Sequence, residues 1–226
     1  MFAPAADASA VSECIGKAQI RRVCFRATHK AEFQADELAP SGGTSIAAST
    51  GHAQGGIQAL PPELSLPEDG VLRFKPLREL ETLRYGETSE SNIIVKSESA
   101  QMLRGIRGDT VELSLAIEPA SAKEYGVSVF CDANGNGFPI TIKSESKTLA
   151  IGKMEAPFEV KKGESLNLRI FLDKGMIEVF ANDRQPVVYM QKHKKEDVGV
   201  SLFSRGGDTV VKEVKCWKMK SIYAGQ

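Results

Sequence analysis

Residues 166–190 read LNLRIFLDKGMIEVFANDRQPVVYM. Leu166, Leu168, Ile170 and Leu172 alternate with Asn167, Arg169, Phe171 and Asp173. That period of two marks a strand with one buried face. Asp173, Lys174 and Gly175 predict a tight turn, with the glycine as the residue free to take positive φ. Residues 176–181 return as a second strand, Ile177 and Val179 toward the core and Met176, Glu178 and Phe180 outward. Asn182 and Asp183 predict the next reversal, since both tolerate left-handed backbone. Residues 185–190 then form a third strand, with Pro186 at a sheet edge or strand start. This antiparallel meander decides the fold class.

The same alternation extends in both directions. VLRFKPL (71–77), NIIVKSE (92–98), QMLRGIRG (101–108), VELSLAIE (111–118) and YGVSVFC (125–131) precede the meander, and VGVSLFS (198–204) and TVVKEVKCWKM (209–219) come after it. Residues 139–142 and 148–151 bracket a polar turn, and LRELETLR (77–84) reads as a short helix or connector. Short strands at spacings of about 8–12 residues predict an all-β fold, a two-sheet antiparallel sandwich of the concanavalin A-like jelly-roll kind. The single tryptophan, Trp217, sits in an alternating strand and is assigned to the core. A domain of about 160 residues buries roughly 70% of its unfolded surface, enough for a core between two sheets.

Composition removes several function classes. Lys plus Arg and Asp plus Glu both total 29 in 226 residues, so the net charge is zero and no global basic field steers nucleic acid. No run approaches about 18 apolar residues, so no membrane-spanning helix is expected. Cys14, Cys24, Cys131 and Cys216 show no CxxC spacing, which points to free thiols and no metal or cofactor. The N-terminus lacks a basic region, and Asp7 and Glu13 interrupt its apolar stretch, so no signal peptide is visible and the cytoplasm is the default compartment. Residues 1–56 are rich in alanine, serine and glycine without sustained periodicity, and read as a poorly ordered leader with a short helix over 30–38. Residues 57–84 form a junction, and 71–222 the sandwich.

The block LRIFLDKGMIEVFAND (168–183) resembles the C-terminal β-sandwich of glycoside hydrolase family 32, the invertases, levanases and inulinases. A second block, ALPPELSLPEDGVLRFKPLRELETLR (59–84), resembles the family's junction between catalytic domain and sandwich. There the family's Leu-Pro-Arg-Glu-Leu becomes Leu60, Pro61, Pro62, Glu63 and Leu64, without the arginine. The resemblance implies an accessory module of a retaining β-fructofuranosidase, whose complete form hydrolyses terminal β-fructosides such as sucrose, levan and inulin. It also implies a five-bladed catalytic propeller upstream, as partner. Nothing in 1–56 could build one, so the chain reads as truncated and inactive alone, with an unrelated or frame-shifted leader.

Retaining glycosidases use two carboxylates about 5–5.5 Å apart. The resemblance places the nucleophile in a Trp-Met-Asn-Asp-Pro-Asn block and adds an Arg-Asp-Pro motif, and this sequence has neither. Its Glu13-Cys14 pair matches the acid/base dipeptide only by chance, since it lies outside any propeller context. No catalytic residue is therefore assigned. Asp132, Asn134, Asn136 and Gly137 match the first half of a Ca²⁺ loop, but Lys143 stands at the twelfth position, so a hairpin loop is the reading. No strand carries Glu-x-Asp-x-Glu, which removes a sandwich glucanase. KHKKEDVG (192–199) reads as a solvated loop.

The candidate site is the outer face of the meander, read as a domain interface across which Glu178 makes a hydrogen bond, with a second buried layer of the sandwich as the other reading. Phe171, Met176 and Phe180 give the meander an apolar outer face, with Glu178 among them, and Leu60, Leu64 and Leu66 from the junction extend it. With the propeller absent, this face is expected to lie open and to drive self-association or aggregation, in preference to docking of the leader. The alternative from another class is a free-standing, lectin-like carbohydrate-binding module.

Overall fold

The computed structural model describes residues 59–221. The expectations for the leader, its helix, Glu13, Cys14 and Cys24 lie outside the described residues. Fourteen strands succeed one another in chain order: β1 Pro62–Ser65, β2 Arg73–Pro76, β3 Arg84–Val95, β4 Ser99–Arg107, β5 Thr110–Ile117, β6 Glu124–Cys131, β7 Phe138–Lys143, β8 Thr148–Ile151, β9 Met154–Pro157, β10 Leu166–Asp173, β11 Met176–Ala181, β12 Gln185–Met190, β13 Gly199–Arg205 and β14 Thr209–Met219. The connector 77–84 is a single 3-10 helix, Arg78–Leu83.

Two six-stranded antiparallel sheets form the expected all-β sandwich. The meander sheet has the order β12-β11-β10-β5-β14-β3, and the opposing sheet β4-β13-β6-β7-β8-β9. β1 and β2 pair as a separate hairpin. The core is what the alternation demands: Leu113, Leu115, Leu168, Ile170 and Val179 from the meander sheet join Val127, Val129, Ile140, Leu149 and Leu202 from the other in one buried cluster.

The meander forms with the expected strands and one change at its first turn. Lys174 takes the left-handed backbone, φ 55°, while Gly175 does not. The Lys174 amide donates to Asp109 O at 2.7 Å, and its ammonium lies 3.1 Å from the Asp109 carboxylate. Those contacts to the β4–β5 loop hold a non-glycine residue in a conformation that glycine adopts more readily. Asn182 and Asp183 both turn left-handed, φ 46° and 53°, and Pro186 lies in the edge strand β12, as expected.

Trp217 is a correction. β14 is bulged against β5 near Val211 and Glu213, and its pairing with β3 shifts register between Cys216 and Lys218. Val214 and Cys216 face the core, and Trp217 pairs with Glu112 on the outer side of the sheet. A bulge shifts side-chain phase by one residue, so simple alternation misassigns the positions beyond it.

The half Ca²⁺ loop is a β6–β7 hairpin. The Asp132 carboxylate accepts from the Asn134 amide at 2.8 Å and the Asn136 amide at 2.9 Å, and hydrogen bonds from Asn136 and its neighbours hold its pKa below the usual carboxylate range. In the loop 192–199, His193 departs from a solvated reading: its ring stacks on Phe130 with centroids 3.9 Å apart.

Two strand glycines provide a test. A Cβ on Gly126 in β6 would lie 2.0 Å from Ile140 O of the neighbouring strand, whereas Gly105 in β4 has open space. Gly126→Ala is expected to cost about 1–3 kcal/mol by overpacking. Gly105→Ala is expected to gain up to about 1 kcal/mol by restricting the unfolded chain. Urea denaturation of both variants checks the register, and similar effects from the two would contradict it.

Candidate functional site

The outer face of the meander sheet is organised in rows. Strand register sets Val188, Glu178, Phe171, Glu112 and Trp217 side by side across β12, β11, β10, β5 and β14. The next row holds Pro186, Phe180, Arg169, Ser114 and Lys215. Two glutamates thus sit on a sheet face with an aromatic ring between them.

This face is covered, which corrects the expectation of an open apolar surface. Phe171 is 6% exposed and Phe180 4%, with their rings edge to face at 6.1 Å. Segment 59–84 lies against it. The Phe74 amide donates to Asp183 O at 2.6 Å, tying β2 to the second meander turn. At the near end of the segment, the Leu60 amide donates to Glu178 at 3.0 and 2.9 Å, to both oxygens. At the far end, Arg84 reaches Glu112: Nε donates to Oε2 and Nη2 to Oε1, both at 2.7 Å. The junction, expected to contribute apolar side chains, therefore fastens to the sheet through backbone and charge. That attachment leaves a weak sequence signal, because a buried Glu in β5 looks like any outward residue of an alternating strand.

Glu112 is fully buried and binds two guanidinium groups, since Arg169 Nε also donates to its Oε1 at 2.8 Å. Glu81 of the 3-10 helix lies 3.4 Å from Arg84 and 3.7 Å from Arg169, making a neutral group of two cations and two anions. Arg84 also stacks 4.2 Å above the Trp217 ring, whose Nε1 donates to Glu87. The bidentate pair with Glu112 raises the Arg84 pKa, keeping the cation fixed.

Glu178 differs. It is 2% exposed and pairs with no cation among the described residues. Desolvation pushes its pKa up to about 7, the Leu60 amide opposes this, and the Asp173 carboxylate adds to the rise. A raised pKa and a partner carboxylate in one row resemble a glycosidase dyad. Here, however, Glu178 and Glu112 are separated by a whole strand, about 10 Å between Cα atoms. Phe171 stands between them, segment 59–84 lies above, and Glu112 is consumed by two arginines. The arrangement fastens a segment and offers no reacting pair.

The remaining candidates are more exposed. Leu64 pairs with Phe74 in the β1–β2 hairpin and is half-buried, Met176 is half-buried at the start of β11, and Leu66 is 47% exposed. Val71 and Leu72 are also exposed, so the hairpin loop carries an apolar tip that the sequence reading missed. Among the described residues no group of His, Cys, Asp and Glu could hold a metal ion, and no helix is long and apolar enough to cross a membrane.

The family model described as "Glycosyl hydrolases family 32 C terminal" matches residues 79–218, most of this chain. The chain belongs to the family 32 C-terminal domain family. Among its family 32 relatives, a levanase of Bacillus subtilis (strain 168) is 28% identical over 186 residues, covering 73% of this chain and 27% of that protein. A sucrose-6-phosphate hydrolase of Escherichia coli is 29% identical over 182 residues, covering 73% of this chain and 35% of that protein. The chain thus spans about a third or less of these relatives' length. In fold it is similar to fructan 1-exohydrolase IIa from Cichorium intybus, TM-score 0.61 at 14% identity over 72% of this chain and 41% of that one. The family match starts inside the 3-10 helix and takes in Arg84, Glu112, Arg169, Glu178 and Trp217.

The Glu178 geometry has a pH signature. Below the ordinary value of 4.5 the carboxyl is protonated in folded and unfolded chains alike. Between 4.5 and about 7 only the folded chain holds the proton, so stability falls as pH rises. Above about 7 the effect is constant, at up to about 3 kcal/mol. Asp69, Asp109, Glu164 and Asp208 have lowered pKa values and act oppositely at acid pH, so the effect is read as a difference. Glu178→Gln is expected to remove the loss across this window. Urea denaturation from about pH 4.5 to 8 checks it, and parallel curves for the two proteins would contradict it.

Proposed function

We propose that this chain is the accessory β-sandwich module of a β-fructofuranosidase-type glycosidase that hydrolyses terminal β-fructosides such as sucrose, levan or inulin in its complete form. The observation that carries the reading is the family match over 79–218, which takes in almost the whole sandwich. The names of the similar proteins, levanase, sucrose-6-phosphate hydrolase and raffinose invertase, supply the substrate class. The sandwich supports, and the reacting carboxylates belong to a catalytic propeller as partner. Acid/base and nucleophilic steps need two positioned, accessible carboxylates, and the two buried ones on the meander face are already engaged by Leu60, Arg84 and Arg169.

The docking surface also comes from the burial pattern. Phe171 and Phe180 lie under segment 59–84, so they do not touch a partner directly. The surface proposed for the propeller is the β1–β2 loop, where Leu66, Val71 and Leu72 stand exposed, with half-buried Leu60 and Leu64 on the same segment. Self-association through the same side chains is the competing use.

The 226-residue chain alone is expected to release no fructose from sucrose or inulin above background. A separately expressed family 32 propeller is expected to bind it, and Leu66→Ser with Leu72→Ser to weaken that complex without changing the melting temperature. Enzyme-dependent fructose release lost in Glu178→Gln would overturn the accessory reading. Sedimentation showing a dimer that the double variant dissolves would assign the tip to self-association.

A further inference from the structure

The β6–β7 loop carries two Asn-Gly pairs, Asn134-Gly135 and Asn136-Gly137, the only two in the sequence. Asn92, Asn167 and Asn182 are followed by Ile93, Leu168 and Asp183. The side-chain carbonyl carbon of an asparagine can be attacked by the backbone nitrogen of the next residue. A side chain on that next residue shields the nitrogen, and glycine has none. Asn134, Asn136 and Gly137 are exposed and Gly135 is half-buried.

The hydrogen bonds of the loop separate the two pairs. The Gly135 amide donates to Asp132 O at 3.1 Å, so the nitrogen that would attack Asn134 is engaged. The Gly137 amide donates to nothing among the described residues. The carbonyl of the same peptide, Asn136 O, accepts from the Asp132 amide at 2.9 Å. The attacking species is the peptide anion, whose charge rests largely on that oxygen, so this bond favours its formation. The ionised Asp132 carboxylate opposes a peptide anion at either glycine, because its Oδ1 accepts from the Asn134 and Asn136 amides alike. It therefore does not change the order of the two.

Packing requires the glycine that makes the pair reactive. A Cβ at position 137 would lie 2.3 Å from Cys131 Sγ and 2.7 Å from Val129 O, so no other residue fits there without a shift. The Asn136 side chain is also placed, its Nδ2 donating to Asp132 Oδ2 at 3.2 Å.

We propose that Asn136-Gly137 is a site of spontaneous modification, at which Asn136 converts to aspartate and isoaspartate faster than Asn134 does. The Gly137 nitrogen bonds to the Asn136 Cγ, and the Cγ–Nδ2 bond breaks. Ammonia leaves with the proton that the Gly137 amide gave up, and a five-membered succinimide remains. Water then adds to one of its two carbonyls. Opening at Cγ restores the ordinary peptide bond and gives aspartate, and opening at the main-chain carbonyl gives isoaspartate. Either product sets a carboxylate where Nδ2 faces Asp132, which turns a hydrogen bond into like-charge repulsion. Isoaspartate also lengthens the main chain by a methylene just before β7. The proposal does not depend on the accessory-module reading.

The test ages the full chain in mildly alkaline buffer, once folded and once in urea. Peptide mapping by mass spectrometry with electron-transfer fragmentation then separates asparagine, aspartate and isoaspartate at each position. In the folded chain Asn136 is expected to convert about fivefold faster than Asn134, the worth of one hydrogen bond. In urea the two are expected to convert at the same rate, since each is followed by glycine. Asn136→Gln should remove most of the acidic form that builds up on ion exchange. Equal rates in the folded chain, faster conversion of Asn134, a preference that persists in urea, or no conversion of Asn136 in the folded chain would each overturn the proposal.

Discussion

Two buried glutamates hold segment 59–84 onto the meander sheet, and the rest of the outer face depends on that attachment. Glu112 accepts from Arg84 at one end of the segment, and Glu178 from the Leu60 amide at the other. Buried ion pairs add little net stability over apolar packing, but removing one partner costs several kcal/mol. Their role here is geometric. They fix where the segment lies, and so bring cover to Phe171 and Phe180, each worth about 1.5–3 kcal/mol of apolar burial.

The two attachments respond differently to conditions. The Arg84–Glu112–Arg169 group balances its own charge with Glu81, and its buried carboxylate is held by two permanent cations. Glu178 accepts from a backbone amide in a desolvated place, with its pKa pushed up to about 7. The segment is therefore permanently held at Arg84 and conditionally at Leu60, the end that leads upstream. Its apolar tip, at Leu66, Val71 and Leu72, is exposed. Segment 59–84 thus lies as a third layer over the meander sheet.

The strands of the sandwich are legible because Leu166, Leu168, Ile170, Leu172 and their neighbours repeat with period two, which a half-buried sheet requires. The outward direction of Glu178 and Phe180 is legible for the same reason. Their burial is not, because cover comes from residues about a hundred positions away or more, and periodicity carries no long-range pairing. Alternation misplaces Trp217 because the bulge near Val211 and Glu213 shifts the phase of β14 before it. It assigns the turn at Lys174 to the glycine because the Asp109 contacts that stabilise the lysine belong to another loop. β1 and β9, four residues each, carry too few alternations to announce themselves.

Native-state hydrogen exchange on the full chain tests the central claim, that 59–84 is part of the folded sandwich rather than a linker resting on it. The amides of Leu60 and Phe74, which donate to Glu178 and Asp183 O, are the probes. At about pH 6, where Glu178 keeps its proton, the account predicts that they exchange through the same global opening as the amides of β10 and β11, with the same denaturant dependence. Exchange of both at near-unprotected rates, while the sheet amides stay protected, would contradict it.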